Sequence, residues 1–181
     1  MPKTEPPAEP RSALSRVPDG VWTPLATAII ALVPGLVGLA LGRPALFPSL
    51  GPTALTQAHD PDHPSARPYN VVVSHLVGLG SAFLAVALFG IAMEKSVFEL
   101  GHLTPARVGA SVLALALAAA LEMALRASHP PAASTTLLAS LGTFHPTPRD
   151  TVTVVVGVLA VAAVGEVLRR VRARPGAATP G

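Results

Sequence analysis

Four long apolar runs limit what this 181-residue chain can fold into. They cover residues 21–41, 71–93, 108–125 and 151–168, and only Glu122 and Glu166 interrupt them with a formal charge. A helix of about 20 residues spans the ~30 Å hydrocarbon core of a bilayer. Charged residues make up 13% of the chain, about half the share that is usual in soluble domains. The sequence therefore predicts an all-α integral membrane bundle of four transmembrane helices.

The flanking segments differ in composition from this apolar part. Residues 1–20 are rich in proline and mixed charge, which predicts a disordered cytoplasmic tail. Residues 169–181 form a basic tail that we also expect in the cytoplasm, and residues 21–168 form the transmembrane domain. The first apolar run begins too late and is too long for a secretory signal peptide.

Basic residues flank the apolar runs unevenly. If the four runs cross the membrane in alternating directions, nine Lys and Arg residues lie on the side of the two termini. These are Lys3, Arg11, Arg16, Lys95, Arg107, Arg169, Arg170, Arg172 and Arg174, against Arg43, Arg67, Arg126 and Arg149 on the other side. Cytoplasmic loops are enriched in Lys and Arg. We therefore expect a multi-pass protein of the cell inner membrane with both termini in the cytoplasm.

Two further apolar segments are too short to span a bilayer as helices. Residues 128–142 place His129 before Pro130 and Pro131, and proline is tolerated in the first turn of a helix. Residues 44–58 contain a similar start at Gly51 and Pro52. The sequence predicts two re-entrant half-helices here. The sequences of residues 51–55 and 133–137 align and suggest an internal two-fold repeat, and paired interrupted segments of this kind mark transporter binding sites.

Three blocks of residues resemble a known family. His129-Pro130-Pro131 follows an apolar run, and Pro48-Ser49-Leu50-Gly51-Pro52-Thr53-Ala54 precedes the second run. The third block consists of Pro64, Ala66, Pro68, Asn70 and His75. Together they resemble the HPP family of integral membrane proteins, over roughly residues 24–168. The resemblance implies a four-span fold, and some members of the family are implicated in nitrite transport.

The two half-helix starts suggest a binding site for a small anion. A helix N-terminus offers free backbone N–H groups and the positive end of the helix dipole. The candidate substrate-binding residues are Gly51, Pro52, Thr53, His75, Glu122, Arg126, His129, Pro130, Pro131, Ser134, Thr135 and Thr136. The alternative is that both starts are proline-capped loops packed for structural reasons.

Ionisable side chains near these segments allow two interpretations each. His129 and His75 could bind substrate or carry a proton, or could have a purely structural part in the bundle. Glu122 and Arg126 are four residues apart, so they lie on one helix face and could form an ion pair. Arg126 could instead extend to the membrane interface.

Other function classes have weaker support. His59, Asp60, Asp62 and His63 could bind zinc or manganese, although a solvated loop is the simpler interpretation. No nucleophile elbow, phosphate loop, dinucleotide fingerprint or cysteine is present, so we expect neither an enzyme nor a cofactor. We expect the lipid bilayer, a small inorganic anion and further copies of the chain as partners, and no nucleic acid. The main alternative to a transporter or channel is a membrane-embedded structural or sensor subunit, and the third is a divalent metal carrier.

Overall fold

A computed structural model describes residue 14 and residues 17–172, and all regular secondary structure in this part of the chain is helical. Four helices are long and apolar enough to cross a membrane: α1 (Asp19–Leu41), α3 (Pro68–Leu88), α5 (Pro105–Ala124) and α7 (Pro148–Arg172). Three are shorter: α2 (Leu50–His59), α4 (Val97–Leu100) and α6 (Ala132–Ser140), and a 3-10 turn covers Pro64–Ala66. The predicted all-α bundle with four candidate spanning helices is confirmed.

Local sequence explains where the helices begin and end. Prolines open α3, α5 and α7, because the first turn of a helix does not need the N–H that proline lacks. The Thr104 hydroxyl caps α5 by accepting a hydrogen bond from the Arg107 backbone N–H at 3.2 Å. Gly42, with φ of 60°, ends α1 in the left-handed conformation that glycine adopts without strain.

Polar contacts define two ends of the bundle. At one end, which we call the terminal end, Arg172 at the close of α7 pairs with Asp19 at the start of α1. A cavity at this end is lined by those two residues and by the loop at residues 59–62. At the opposite end, the loop end, Arg43 donates to the Arg149 carbonyl at 3.1 Å. The contacts within each end fix the direction of each helix.

The direction of α3 differs from the expected one. The Tyr69 hydroxyl donates to the Leu125 carbonyl at the terminal end, and His145 lies 3.3 Å from the Glu94 carbonyl at the loop end. Helices α1 and α3 therefore run in the same direction, and α5 and α7 run in the opposite one. Lys95 and Arg107 lie at the loop end, and Arg67 and Arg126 lie at the terminal end. The assignment of these four residues by alternating spans was wrong.

The short helices explain this difference. Residues 42–49 run from the loop end into the bundle, and α2 continues to the terminal end, where His59 lines the cavity. Ala45 lies against Gly157 of α7 and Gln57 lies against Gly165, two turns farther toward the terminal end, so residues 42–59 follow α7 from one end of the bundle to the other. Residues 126–131 and α6 make the matching passage from the terminal end to the loop end. Helices α2 and α6 thus each lie on a segment that runs from one end of the bundle to the other, and their re-entry into a membrane stays a prediction.

Small residues let these two segments pack tightly. A Cβ on Gly78 of α3 would collide with Thr136 of α6, and one on Gly157 of α7 would collide with the Ala45 carbonyl. The packing of α1, α2 and α3 resembles that of α5, α6 and α7. The pair α1–α2 corresponds to α5–α6, the pair α3–α5 to α1–α7, and the pair α3–α6 to α2–α7. This arrangement is compatible with the internal repeat that the sequence suggests, with the two halves inverted.

The predicted tails lie mostly outside the described residues. Helix α7 continues through the first basic residues of the predicted C-terminal tail and ends at Arg172. The predictions for residues 1–13, 15–16 and 173–181 concern parts of the chain that the structure does not describe.

Candidate functional site

Five polar side chains meet inside the bundle where α2 and α6 begin. They are Ser49, Thr53, His75, His129 and Thr135, and the exposed fraction of each is 0%. His75 lies seven residues into α3, roughly 10 Å from the terminal end. We call this group the polar cluster. None of its members is acidic.

The two short helices supply most of the cluster. Ser49 and Thr53 are four residues apart at the start of α2, so they lie on one face. Thr135 lies in the first turn of α6, and its hydroxyl oxygen is 2.7 Å from that of Ser49. The starts of the two short helices therefore meet. Thr53 and Thr135, which correspond in the suggested repeat, both contact His75, at 3.0 Å and 2.6 Å.

The segment before α6 holds His129 in place. The ring Nδ1 lies 2.8 Å from the Ser65 carbonyl, in the 3-10 turn before α3. The Asn70 side chain accepts from the Ser128 backbone N–H at 3.3 Å and donates to the Pro64 carbonyl at 2.6 Å. The two histidine rings are 5.3 Å apart between centroids and tilted by 52°.

The hydrogen bonds of the cluster admit one consistent order of protons. A carbonyl only accepts, so His129 Nδ1 carries a proton and its Nε2, when the ring is neutral, accepts from the Thr53 hydroxyl at 2.9 Å. Thr53 then accepts from His75 Nε2–H, and His75 Nδ1 accepts from the Thr135 hydroxyl. Thr135 in turn accepts from Ser49. Each hydrogen bond in this series then contains one proton.

Thr53 has a second acceptor within reach. Its hydroxyl oxygen lies 2.9 Å from the Ser49 carbonyl, one turn earlier in α2. When the hydroxyl donates to that carbonyl, its oxygen can accept from a protonated His129. In the order of protons described above, the His129 ring is neutral.

The backbone at the two helix starts is less open than expected. In α2, the Leu50 and Gly51 N–H groups donate to the Phe47 and Pro48 carbonyls. In α6, the first three N–H groups donate to the carbonyls of residues 129–131. The expectation that these amides are free to bind an anion was wrong, because the turn before each helix already satisfies them.

The remaining candidate residues surround the cluster or lie apart from it. Thr136 is buried beside it, against Gly78. The residues that shape the helix starts are exposed or half-buried, namely Gly51, Pro52, Pro130, Pro131 and Ser134. Arg126 is exposed and Glu122 is half-buried on α5. Within residues 17–172 no ion pair joins these two, so the predicted Glu122–Arg126 pair was wrong.

No cavity described for this chain opens onto the polar cluster. One cavity of about 240 Å³ lies at the terminal end, and two others are lined by Arg43, Pro44 and Leu46 near the loop end. The cluster is closed in this state, and its interior is filled by its own side chains.

The loop from His59 to His63 does not gather its side chains around one point. His63 instead caps the 3-10 turn, since its Nδ1 accepts from the Ser65 N–H at 3.2 Å. Among the residues that the structure describes, no group of three or more His, Asp or Glu side chains could share a metal ion. The geometry gives the metal-carrier alternative no support.

Several buried polar residues were not identified from the sequence. Ser49 belongs to the cluster, and the Ser65 carbonyl contacts it, only because of how α2 and the turn before α3 pack against the residues before α6. Arg107, with an exposed fraction of 1%, donates to the carbonyls of Ser140, Glu94 and Lys95 and ties α6 to the loop end. Hydropathy carries no signal for a buried arginine whose partners are backbone carbonyls.

Comparison with known families agrees with the predicted resemblance. A family model described as "HPP, transmembrane region" matches residues 12–176, nearly the whole sequence. A comparison with curated proteins and a comparison with solved structures gave no match. Together with the four apolar helices, the family match establishes a multi-pass integral membrane protein. The chain belongs to the HPP transmembrane family.

Proposed function

We propose that this protein is a transporter or channel for a small inorganic anion such as nitrite, and that the polar cluster is its binding site. The observation that carries the proposal is the meeting of two half-helix starts around two buried imidazoles and three hydroxyls. The positive ends of two helix dipoles favour negative charge at this point. The cluster contains no carboxylate that would repel an anion.

Side chains, rather than backbone amides, are the proposed donors. The hydroxyls of Ser49, Thr53 and Thr135 and the imidazole N–H groups can each turn toward a small acceptor. These donors are neutral in the closed state, and weak contacts at several points suit a solute that must be bound and then released. We further propose that the polar cluster opens alternately toward the terminal end and toward the loop end of the bundle.

The alternative acceptor of Thr53 supports proton coupling. A proton that reaches His129 can be accommodated because the Thr53 hydroxyl can turn to the Ser49 carbonyl, 2.9 Å away. An anion that moves together with a proton is electrically neutral overall. It therefore avoids the ~2.3 kcal/mol per 100 mV that a lone charge meets at the membrane potential.

The proposed orientation places the terminal end in the cytoplasm. Of the described basic residues, Arg67, Arg126, Arg169, Arg170 and Arg172 belong to this end, and Arg43, Lys95, Arg107 and Arg149 to the other. Arg107 is buried against carbonyls. The sequence outside residues 17–172 adds Lys3, Arg11, Arg16 and Arg174. The excess of basic residues supports cytoplasmic termini.

The direct test is anion flux in vesicles that contain the purified protein. Wild-type vesicles should take up nitrite faster than empty vesicles, and His129→Ala should bring uptake down to the level of empty vesicles. His102→Ala, at an exposed histidine of the loop end, is the matched control and should keep wild-type uptake. Absence of flux with nitrite, nitrate and other small anions, from protein that remains folded, would refute the proposal.

The closed cluster also favours a second candidate, a membrane-embedded structural or sensor subunit. No cavity described for this chain reaches the cluster. A subunit of this kind should pass no solute and should purify in a fixed ratio with a partner protein. Flux by the purified chain alone would exclude it.

A further inference from the structure

Gln57 is a buried polar residue whose side chain has no hydrogen-bond partner among the described residues. Its exposed fraction is 4%, and both its amide nitrogen and its amide oxygen are buried and unpaired. An unpaired buried amide costs roughly 1–3 kcal/mol of stability. Such a group calls for an explanation, because most buried polar side chains are paired.

The backbone of α7 makes room for this amide. Gly165 faces Gln57, and a Cβ on Gly165 would collide with all the terminal atoms of the Gln57 side chain. A glycine at this position lets the two helices approach and leaves the amide against bare backbone.

Gln57 lies between the polar cluster and the cavity at the terminal end. Thr53, a member of the cluster, is one turn deeper on the same face of α2. His59 and Asp60, which line the cavity, follow Gln57 by two and three residues. On α7, Gly165 is one turn before Arg169, another lining residue. The polar cluster, Gln57 and the cavity at the terminal end thus follow one another along the packed pair of helices α2 and α7.

The cavity at the terminal end is lined by charged groups of both signs. Arg172 pairs with Asp19 and lies 4.7 Å over the ring of Trp22, and Arg169 pairs with Glu166 at 2.7 Å. Asp60 and Asp62 line the same space, with His59 beside Asp60 at 3.9 Å. Three carboxylates and two arginines line the cavity, so charged groups of both signs are present, with a small acidic excess.

We propose that Gln57 is a second binding station for a small oxyanion, on a path that joins the terminal cavity to the polar cluster. The proposal rests on the proposed function and adds a route and a ligand contact to it. The Gln57 amide NH2 supplies two hydrogen-bond donors for the oxygens of the oxyanion. The amide oxygen can accept from the protonated oxyanion, or from a water molecule that hydrates it. A neutral amide holds an anion weakly, which suits a station that passes its ligand on.

Cysteine accessibility tests the path directly, because the chain contains no cysteine. Gln57→Cys should react with an anionic methanethiosulfonate added on the side of the C-terminus, at least about tenfold faster than Ala54→Cys or Ala58→Cys. Those alanines are on the same helix and fully buried in apolar surroundings. A membrane-permeant maleimide on unfolded protein confirms that each thiol is present. Equal rates at the three positions would overturn the path.

A second variant tests the ligand contact. Gln57→Leu should raise the melting temperature, because an unpaired amide is removed, and should lower nitrite uptake about tenfold or more. Thr56→Val, which removes a hydroxyl one residue away that bonds only within α2, should keep wild-type uptake. Unchanged uptake by Gln57→Leu would overturn the station.

The two proposals fail in distinguishable ways. A reactive Gln57→Cys in a protein that passes no anion would refute the transport function and leave a solute path in place. An unreactive Gln57→Cys in a protein that transports nitrite would refute the path and leave the function in place.

Discussion

At the scale of single residues, the hydroxyl of Thr53 carries the most connections. Its oxygen lies within 3.0 Å of His75, His129 and the Ser49 carbonyl, and it is fully buried. One hydroxyl has one proton to give, so these contacts compete for it. We therefore expect that few residue types can replace Thr53, because a replacement has to supply a hydroxyl at the same position.

Replacing Thr53 by valine should destabilise the protein by about 2–4 kcal/mol, because two buried ring nitrogens lose their partner. Thr53→Ser keeps the hydroxyl and should cost much less. Thermal unfolding in detergent, monitored by circular dichroism, compares the two. Equal melting temperatures for the two variants would contradict the proton order described above.

The sequence could identify part of the cluster but not all of it. Thr53, His75, His129 and Thr135 stand at half-helix starts or in an apolar run, which marks them as unusual. Ser49 and Ser65 carry no such mark, since serine is common in loops. Their place depends on the exact contacts between α2, α6 and the turn before α3, which no local pattern encodes.

At the scale of helices, close packing of α3 against α6 positions the cluster. A Cβ on Gly78 would collide with Thr136 and lie 3.2 Å from the Ala132 carbonyl, so the first turn of α6 rests on this glycine. Thr135, the neighbour of Thr136, is thereby brought to His75.

Gly78→Ala should lower stability by about 1–3 kcal/mol, because the added methyl group forces α6 away. Gly80→Ala is the matched control on the same helix, where nothing lies within 4 Å, and it should be neutral or slightly stabilising. Chemical unfolding of both variants in detergent makes the comparison. A larger loss at Gly80 than at Gly78 would contradict this account of the packing.

The sequence predicts that the two half-helices exist, from their prolines and their length, but not whether their first backbone amides are hydrogen-bonded. Proline starts and apolar stretches of under 16 residues predict short helices at α2 and α6. The state of their first amides depends on the conformation of the preceding turn, where Phe47 and Pro48 supply acceptors in α2. Turn conformation at this detail is set by packing.

At the scale of the whole molecule, the parallel course of α1 and α3 is the main departure from the expected topology. It places residues 59–67 at the same end as both described termini and the loop with Lys95 at the other. Hydropathy windows register only helices of full length, so they miss a passage made of a short helix and the turns before it.

Labelling of single cysteines should reveal this topology in membranes. Asp62→Cys and Lys95→Cys, both exposed, should react with an impermeant reagent from opposite sides, with Asp62→Cys on the side of the C-terminus. Alternating spans predict the reverse for both positions. Asp60→Cys, in the same loop as Asp62, is the matched control and should react from the same side as Asp62→Cys.

The passage of residues 42–59 from one end of the bundle to the other has a consequence for how the protein is made. An insertion machinery that recognises long apolar helices would place α3 antiparallel to α1 as each leaves the ribosome. To reach the observed arrangement, the weakly apolar segment between them has to be carried through as well. Hydrogen bonds of Thr53 and Thr135 hold this segment against α3 and α6, so we expect correct assembly to require α1–α3 and α5–α7 together.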